Sequence, residues 1–274
     1  MIYDGKAAFL LVQAKLKEQL ANSDHAPILG IFSVATHPSI ASFITIKKKF
    51  ANTVGVTLDE HNFDPTTTED EFVSELKKCI DSQKLDALII QLPLPATYDT
   101  QKILNIIPEE LDVDVLGKNS FEKFKEHGDP LPPVAGAVAY ILNDTTTNLA
   151  NKKVVVVGKG KLVGEPVAMW FKQQGVEPVL IDINTQPEDR MTSYREADIV
   201  VSGIGKPHHL KKEFFKSGVI LIDAGTSEQA GVLAGDFDPT CSEIASIITP
   251  VPGGVGPLTV ACLFKNIFDF YCKQ

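Results

Sequence analysis

Short apolar runs alternate along this chain with longer stretches in which apolar residues recur every three or four positions. The longer stretches are typical of amphipathic helices, and the short runs are typical of strands that are buried on both faces. The clearest short run is residues 154–157, four consecutive valines between a lysine and a glycine. Strands and helices that alternate in this way predict an α/β protein with parallel sheets.

The first half of the chain predicts two buried strands separated by helices. The strands are expected at residues 28–32 and 87–90, and the helices at residues 6–20, 39–54, 72–80 and 100–107. Thr68 and Glu71 have the spacing of a capping box, which satisfies free amides where a helix begins. Residues 108–133 are acidic and without a clear period, so they predict irregular structure.

The second half predicts a separate lobe with a Rossmann-like, doubly wound parallel sheet. Its strands are expected at residues 154–157, 178–181, 199–202, 219–222 and 245–248, and its helices at residues 135–142, 162–174, around 190, and from 258 onward. The glycine- and proline-rich residues 128–133 mark the boundary. We therefore expect an N-terminal α/β lobe of residues 1–133 and a second lobe of residues 134–249, with a cleft between them. The second lobe's alternation is complete before residue 250, so the C-terminal residues 250–274 are expected to pack back on the first lobe.

Composition and charge exclude several classes of protein. The chain has 274 residues and a net charge of -9, which argues against binding nucleic acid. It has no apolar run long enough to span a bilayer, and its start lacks the basic residues of a signal peptide. The four cysteines are scattered without the spacing of metal ligands, so we expect a reducing cytoplasmic location and no metal site.

A glycine-rich turn follows the valine strand and begins a helix. Gly158, Gly160 and Gly164 have the spacing G-x-G-x-x-x-G, a variant of the dinucleotide fingerprint in which the backbone approaches a pyrophosphate. Asp182 ends the next predicted strand, 24 positions after Gly158, where a carboxylate can accept from both ribose hydroxyls of NAD. The alternative for Asp182 is a polar residue that simply ends a strand.

Other residues near this turn bear on the choice of cofactor. A carboxylate at the ribose repels the 2′-phosphate of NADP, whereas Lys159 and Lys161 are cations close enough in sequence to bind it. Gly205 and Thr226 lie in loops that follow later strands. Ligands of open α/β sheets bind at the carboxyl ends of strands, so both loops should border the dinucleotide.

One lysine of the first lobe lies on an apolar helix face. In the helix of residues 39–54, Lys47 follows Phe43 by one turn on the apolar stripe, while Lys48 and Lys49 fall off it. Such a lysine either extends its amine to water or is a desolvated amine with a lowered pKa, which can act as an acid or a base near neutral pH.

Three further features of the sequence can bind a polar ligand. Gln91 follows a buried strand and either orients a ligand or caps the strand. Asp112 and Asp114 are either a solvated pair or two carboxylates that point the same way. Residues 248–257, Ile-Thr-Pro-Val-Pro-Gly-Gly-Val-Gly-Pro, predict a stiff loop with exposed amides that leads into a helix.

These segments together resemble the bifunctional methylenetetrahydrofolate dehydrogenase/cyclohydrolase family, the FolD proteins. The resemblance covers nearly the whole chain in order. It rests on residues 43–47 (Phe-Ile-Thr-Ile-Lys), 90–95 (Ile-Gln-Leu-Pro-Leu-Pro), 111–115 (Leu-Asp-Val-Asp-Val), 158–166 (Gly-Lys-Gly-Lys-Leu-Val-Gly-Glu-Pro) and above all 248–257.

The resemblance implies a reaction for the chain. It would oxidise 5,10-methylenetetrahydrofolate to 5,10-methenyltetrahydrofolate with NADP or NAD, and hydrolyse the product to 10-formyltetrahydrofolate at the same site. Residues 1–133, completed by 250–274, would be the folate-binding catalytic domain, and residues 134–249 the NAD(P)-binding domain. The family also implies a homodimer.

The resemblance also assigns roles to individual residues. Lys47 would be the catalytic lysine, Gln91 would orient the lysine or the folate, and Asp114 would hold the pterin. Phe43 and the loop of Pro252, Gly253 and Gly254 would contact the substrate. The cofactor-binding residues would be Gly158, Lys159, Gly160, Gly164, Asp182, Gly205 and Thr226.

The chain departs from the family pattern at several of these positions. Phe43 replaces a tyrosine, Val115 replaces a glycine, and residues 132–135 (Pro-Pro-Val-Ala) replace Pro-Cys-Thr-Pro. These changes leave open a dehydrogenase without cyclohydrolase activity, or a relative that binds ligand without catalysis. At the cofactor, Lys159-Gly160 replaces Arg-Ser, and residues 182–184 (Asp-Ile-Asn) replace Cys-His-Ser. The family default is NADP, whereas Asp182 favours NAD.

Overall fold

A computed structural model describes residues 1–21, 25–35, 38–229 and 232–272 of the chain. The chain divides into two compact units. The first unit comprises residues 10–133 and 260–274, and the second comprises residues 1–9 and 134–259. In the part of the chain that the structure describes, no helix combines the length and apolar character needed to cross a membrane.

The first unit is built on a three-stranded parallel sheet of order β2-β1-β3. Its elements in chain order are α1 (Gly5–Leu20, which begins in the second unit), β1 (Ile28–Val34), α2 (Pro38–Val54), β2 (Thr57–Phe63), α3 (Glu69–Asp81), β3 (Ala87–Ile90), α4 (Thr100–Leu104) and α5 (Lys118–His127). The central strand β1 and the neighbouring β3 are almost entirely buried, as their continuous apolar sequences predict. The capping box is confirmed, because Thr68 and Glu71 exchange hydrogen bonds at the start of α3.

Two elements of this unit were not predicted from the sequence. Strand β2 contains polar residues at five of its seven positions, which gives no apolar run, yet all seven pair with β1. It lies at the edge of the sheet, where a strand needs little burial. Helix α5 lies inside the segment predicted to be irregular. It buries only Ser120 and Phe124, and it ends at Gly128 with φ 76°.

The second unit contains a five-stranded parallel sheet of order β10-β7-β6-β4-β5. Its elements are α6 (Pro133–Asp144), β4 (Val154–Val157), α7 (Gly164–Gln173), β5 (Val179–Ile181), α8 (Pro187–Glu196), β6 (Ile199–Ser202), β7 (Ile220–Asp223), the antiparallel pair β8 (Ser227–Gln229) and β9 (Val232–Ala234), β10 (Ile247–Ile248) and α9 (Val255–Tyr271). The hairpin of β8 and β9 was not predicted. The predicted α/β class with a Rossmann-like parallel sheet is confirmed.

The first residues of the chain belong to the second unit, although the sequence analysis assigned them to the first lobe. The amide of Tyr3 donates to the carbonyl of Ile248 at 2.9 Å, and Ile248 donates to the carbonyl of Met1 at 3.0 Å. The Tyr3 hydroxyl donates to Asp144 at 2.8 Å. Residues 1–3 therefore satisfy the otherwise open edge of β10, a long-range pairing that no local pattern predicts.

The C-terminal helix packs on the first unit, as predicted, but residues 250–259, which were expected to do the same, belong to the second unit. From Val260 onward α9 belongs to that unit, and Phe264 contacts Phe50 of α2 with ring centroids 4.6 Å apart. The buried Asn266 donates to the carbonyls of Val113 and Leu131, at 2.9 and 2.8 Å. One amide group thus ties together two segments that lie outside the helices and strands.

We expect Asn266→Ala to destabilise the protein by about 2 kcal/mol, because one buried and one partly buried carbonyl lose their donor. Lys265→Ala is the matched control: its side chain is exposed and paired with Asp269 on the same helix, so the change should cost less than about 0.5 kcal/mol. The free energies of unfolding of the two variants, measured by urea denaturation, test this difference. Equal effects of the two substitutions would contradict the role given to Asn266.

Candidate active site

Lys47 lies on the buried face of α2 and is held by an amide side chain. Ile44 and Ala51, one turn before and after it, are buried, whereas Lys47 is partly exposed. Its Nζ donates to Gln91 Oε1 at 2.6 Å, and Gln91 Nε2 donates to the carbonyl of Leu92 at 2.9 Å. The second hydrogen bond fixes the orientation of the Gln91 amide, so the oxygen faces the lysine. Gln91 is therefore more than a cap of β3.

The charge state of Lys47 is set by burial and by one carboxylate. Burial lowers the pKa of the Lys47 amine, and the charge of Asp114 partly opposes this by raising it. Burial also raises the pKa of Asp114, to about 6, while Lys47 lowers it and Asp112 raises it. Burial thus moves the pKa of the amine downward and that of the carboxyl group upward, both toward neutral pH, which favours acid–base chemistry.

Asp112 and Asp114 have different surroundings. The buried Asp112 carboxylate accepts from the amides of Leu116 and Gly117, at 3.4 and 2.8 Å, so it shapes the following turn. Asp114 is only partly buried and interacts electrostatically with Lys47. The segment is a turn and not a strand, so the alternation used to orient the two carboxylates does not apply. Neither residue belongs to a solvated pair.

Val115 occupies a backbone conformation that favours glycine. Its φ is 58°, in the left-handed region, which is costly for a β-branched residue. This is the position where the FolD pattern has glycine. The side chain is nevertheless buried, and Asp112 and Asn266 bind the backbone on both sides of it. The turn that carries Asp114 is thus retained by its hydrogen bonds despite the substitution.

Of the predicted substrate-binding features, Phe43 is accessible, and the loop of residues 252–254 has a tightly constrained backbone. Phe43, one turn before Lys47 on α2, leaves 38% of its surface exposed, which is high for an aromatic ring. In the second unit, Gly253 has φ 109°, and a Cβ on Gly254 would lie 2.6 Å from the carbonyl oxygen of Pro250. The loop before α9 therefore requires its glycines for its own shape.

The glycine turn after β4 has the features of a pyrophosphate-binding turn. Gly158 has φ 100°, and a Cβ on Gly164 would lie 1.9 Å from the carbonyl oxygen of Gly158, so only glycine allows α7 to begin there. A Cβ on Gly160 would meet no atom within 4 Å. The backbone at Gly160 is consequently open to a ligand without being needed for packing.

Asp182 lies next to this turn and is paired with a lysine of it. The strands β4 and β5 are in register at Val157 and Ile181, and the Gly158 amide donates to the carbonyl of Ile181 at 2.8 Å. Asp182 Oδ2 is 2.8 Å from Lys159 Nζ, and its Oδ1 accepts from the amide of Asn184 at 2.9 Å. The hydrogen bond from Lys159 lowers the pKa of Asp182. Asp182 is therefore anchored and does more than end a strand.

Two buried carboxylates that the sequence analysis did not select organise the neighbouring loops. Asp236 accepts from Ser202 Oγ and from the amides of Ile204 and Lys206, at 2.7–2.9 Å. Asp223 accepts from the amides of Gly225 and Phe237 at 3.0 Å. Burial, together with Asp236, raises the pKa of Asp223 to about 7. These side chains fix the loops that carry Gly205 and Thr226; nothing local in the sequence around Asp236 signals this role.

The predicted site residues thus form two groups. Lys47, Gln91 and Asp114 come together in the first unit, with Phe43 on the same helix as the lysine. The glycine turn, Lys159, Asp182, Gly205 and Thr226 lie in the second unit, at the carboxyl ends of its strands, as does the loop of residues 252–254. A parallel sheet with a glycine turn after one strand and an acidic residue at the end of the next defines a dinucleotide-binding α/β protein.

Comparisons with known proteins identify the family. Residues 3–114 match the catalytic-domain model of tetrahydrofolate dehydrogenase/cyclohydrolase, and residues 132–274 match its NAD(P)-binding-domain model. The bifunctional protein FolD of Geotalea daltonii is 32% identical over 98% of this chain and 97% of its own. FolD of Thermotoga maritima is 31% identical over 97% of each chain.

Solved structures agree with the sequence relatives. The methylenetetrahydrofolate dehydrogenase-cyclohydrolase of Trypanosoma brucei, solved with NADP and an inhibitor, has a TM-score of 0.94 at 27% identity, over 100% of this chain and 97% of its own. The 5,10-methylenetetrahydrofolate dehydrogenase of Bombyx mori has a TM-score of 0.92 at 29% identity, over 100% and 98%. The chain belongs to the tetrahydrofolate dehydrogenase/cyclohydrolase family. The expectation of a bifunctional NAD(P)-dependent enzyme of one-carbon metabolism is confirmed.

Proposed function

We propose that Lys47, Gln91 and Asp114 carry the chemistry of this enzyme. The reactions are the oxidation of 5,10-methylenetetrahydrofolate to the methenyl compound and its hydrolysis to 10-formyltetrahydrofolate. The observation that carries the proposal is the partly buried Lys47 amine, with its lowered pKa and its 2.6 Å hydrogen bond to Gln91. This arrangement is what a reactive lysine requires, since a solvated lysine is protonated near neutral pH.

In the first reaction, the methylene carbon between the two folate nitrogens loses a hydride and becomes a methenyl cation. When bound, the nicotinamide ring accepts that hydride. We assign its binding to Gly158, Lys159, Gly160, Gly164, Asp182, Gly205 and Thr226. The residues fit a dinucleotide, because Gly160 leaves open space at the turn and the Asp236 network fixes the loop of Gly205.

In the second reaction, water adds to the methenyl carbon and must lose a proton. The neutral amine of Lys47 can take that proton, while Gln91 holds the amine in place through its oxygen. The new hydroxyl group then loses its proton and becomes the formyl C=O, while the bond between the former bridging carbon and N5 breaks. N5 keeps the electron pair and takes up a proton, and the formyl group stays on N10. The lowered pKa of Lys47 also reduces its repulsion from the cationic substrate, because the neutral form of the amine becomes more accessible.

Asp114, Phe43 and the loop of residues 252–254 are assigned to substrate binding. With a pKa raised to about 6, Asp114 can present either a carboxylate or a carboxyl group to the amino and amide groups of the pterin. The exposed Phe43 ring offers an apolar face for stacking. Phe43 lacks the hydroxyl of the tyrosine in the family pattern and keeps the ring as a stacking surface.

We expect Lys47→Met to reduce the hydrolysis of methenyltetrahydrofolate by at least about a hundredfold, because a general acid or base contributes factors of about 10²–10⁴. Methionine retains an apolar side chain of similar length at this position of α2 and lacks the amine. The loss of methenyl absorbance measures the rate. Lys49→Met, at an exposed position two residues later on the same helix, is the control and should hydrolyse at the wild-type rate. Unchanged hydrolysis in Lys47→Met would remove this lysine from the mechanism.

The pH dependence of hydrolysis tests the coupling of Lys47 to Asp114. A neutral Lys47 is required as the base, so activity falls as pH decreases through its pKa. The Asp114 charge raises that pKa. We expect Asp114→Asn to shift the acid limb of kcat, measured at saturating substrate, to lower pH. A limb that stays in place or moves to higher pH would show that Lys47 is not the base.

We further propose that the enzyme prefers NAD to NADP. Asp182 is anchored by Asn184 and by Lys159, so it cannot easily move away from a 2′-phosphate. The half-exposed Lys159 side chain can leave Asp182 when the ribose hydroxyls take its place. A lysine also lacks the arginine fork that binds phosphate through two parallel hydrogen bonds.

Four proteins test this choice: wild type, Asp182→Ser, Lys159→Ala and the double variant, each assayed for kcat/KM with both cofactors. Wild type should favour NAD. Asp182→Ser should shift the ratio toward NADP by at least about tenfold, on the order of 1.4 kcal/mol, since repulsion disappears and Lys159 is released. Lys159→Ala should increase the preference for NAD, and the double variant should fall between the single ones. A wild-type preference for NADP would contradict the proposal.

Two broader properties are also proposed. The family resemblance favours a homodimer. A mass of one chain in sedimentation equilibrium would contradict this proposal. The thiols of Cys79, Cys241, Cys262 and Cys272 are free, which suits the reducing cytoplasm; localisation of the tagged protein to an oxidising compartment would contradict this.

A further inference from the structure

Three side chains of different chemistry converge on the outer strand of the first unit. Asp59 and His61 lie two residues apart on β2 and therefore project from the same face of the sheet. Cys79 faces them from α3, three residues after the buried Leu76. Their donor atoms, Asp59 Oδ2, His61 Nε2 and Cys79 Sγ, all lie within 4.8 Å of one another.

The distances between these donor atoms are compatible with the coordination sphere of one metal ion. Asp59 Oδ2 and His61 Nε2 are 3.3 Å apart, Cys79 Sγ and His61 Nε2 are 3.6 Å apart, and Cys79 Sγ and Asp59 Oδ2 are 3.9 Å apart. Tetrahedral zinc with bonds of about 2.3 Å to sulfur and about 2.0 Å to nitrogen and oxygen separates N from O by about 3.3 Å and S from N by about 3.6 Å. The third distance, from Cys79 Sγ to Asp59 Oδ2, is slightly longer than the corresponding edge of a regular tetrahedron.

The arrangement differs from a nucleophile with its base. In a Cys-His-Asp relay the carboxylate and the thiol contact opposite nitrogens of the imidazole. Here both contact Nε2, so the three donors point at one another and at a common centre. The His61 ring stacks on Phe32 at 4.3 Å with an interplanar angle of 11°, which fixes the direction of Nε2.

The charges around the cluster also favour a cation. The Asp59 carboxylate lies 3.3 Å from His61 Nε2 and 3.9 Å from Cys79 Sγ, and Glu75 lies one turn before Cys79 on α3. A divalent cation bound there would stabilise the Cys79 thiolate directly.

We propose that Asp59, His61 and Cys79 form a zinc-binding site that links the edge strand β2 to α3, with water as the fourth ligand. A donor set of thiolate, imidazole and carboxylate selects zinc over magnesium and calcium, which prefer oxygen ligands alone. The Asp59 side chain is 48% exposed, so water reaches the fourth position. The site is separate from Lys47, Gln91 and Asp114, and it contradicts the expectation of no metal that followed from the cysteine spacing.

Cobalt(II) is the first probe, because it replaces zinc and is coloured. Titration of chelator-treated full-length protein should show one equivalent bound, with a thiolate-to-cobalt charge-transfer band and the visible bands of tetrahedral cobalt. Zinc should displace the cobalt. Cys79→Ser should lose the charge-transfer band, whereas Cys272→Ser, at an exposed thiol, should retain it. No band in wild type, or a band retained in Cys79→Ser, would overturn the proposal.

Zinc affinity is the second measurement, by competition with a chromophoric chelator. Asp59→Asn and His61→Asn should each weaken zinc binding by at least about tenfold, since even residues outside the coordination sphere contribute that much. His127→Asn, at an exposed histidine beside Glu126, is the control and should bind as wild type. If Cys79→Ser fails to fold, Asp59→Asn and His61→Asn still test whether the zinc site exists. One equivalent of zinc should also raise the Tm of wild type and leave that of His61→Asn unchanged; equal shifts would contradict a site at His61.

Discussion

The desolvated amine of Lys47 is the constraint on which the proposed active site depends. An apolar helix face lowers its pKa, Gln91 fixes its position, and the charge of Asp114 limits how far the pKa falls. Each partner is in turn held by groups that do no chemistry. The carbonyl of Leu92 orients Gln91, and Asn266 of α9 binds the carbonyl of Val113 beside Asp114. The C-terminal helix therefore contributes to the site although it supplies no reactive group.

In the second unit, the backbone at Gly160 is open in the turn that we assign to the cofactor. Glycines give the turn after β4 its shape, and Gly164 is required because a side chain there would collide with the carbonyl of Gly158. The buried Asp236 binds two loop amides and a serine hydroxyl that would otherwise lack partners. A carboxylate with several donors around it can fix a loop more firmly than neutral groups, since hydrogen bonds to charged acceptors are the stronger ones.

Departures from the family pattern are absorbed in different ways. Val115 keeps a left-handed backbone because the hydrogen bonds around it and its own burial outweigh the strain. Phe43 retains the ring of the tyrosine it replaces. At the cofactor, the replacement of Arg-Ser by Lys159-Gly160 is accompanied by an acidic residue at position 182, and the two changes are coupled, since Lys159 and Asp182 form an ion pair.

The sequence by itself determined the α/β class, most of the buried strands and helices, the capping box of α3, and Lys47 as the one lysine of three on an apolar face. These features depend on local periodicity and on residues close in the chain. Only the tertiary structure decided the rest. Strand β2 forms because it pairs with β1, and residues 1–3 join the second unit because they pair with β10. Gln91, Asp236 and Asp182 each make their contacts with partners that are distant in the sequence. The cluster of Asp59, His61 and Cys79 likewise joins a strand and a helix, and its spacing along the chain resembles no metal motif. Long-range contacts of polar side chains leave no periodic pattern, because a single residue suffices to make each of them.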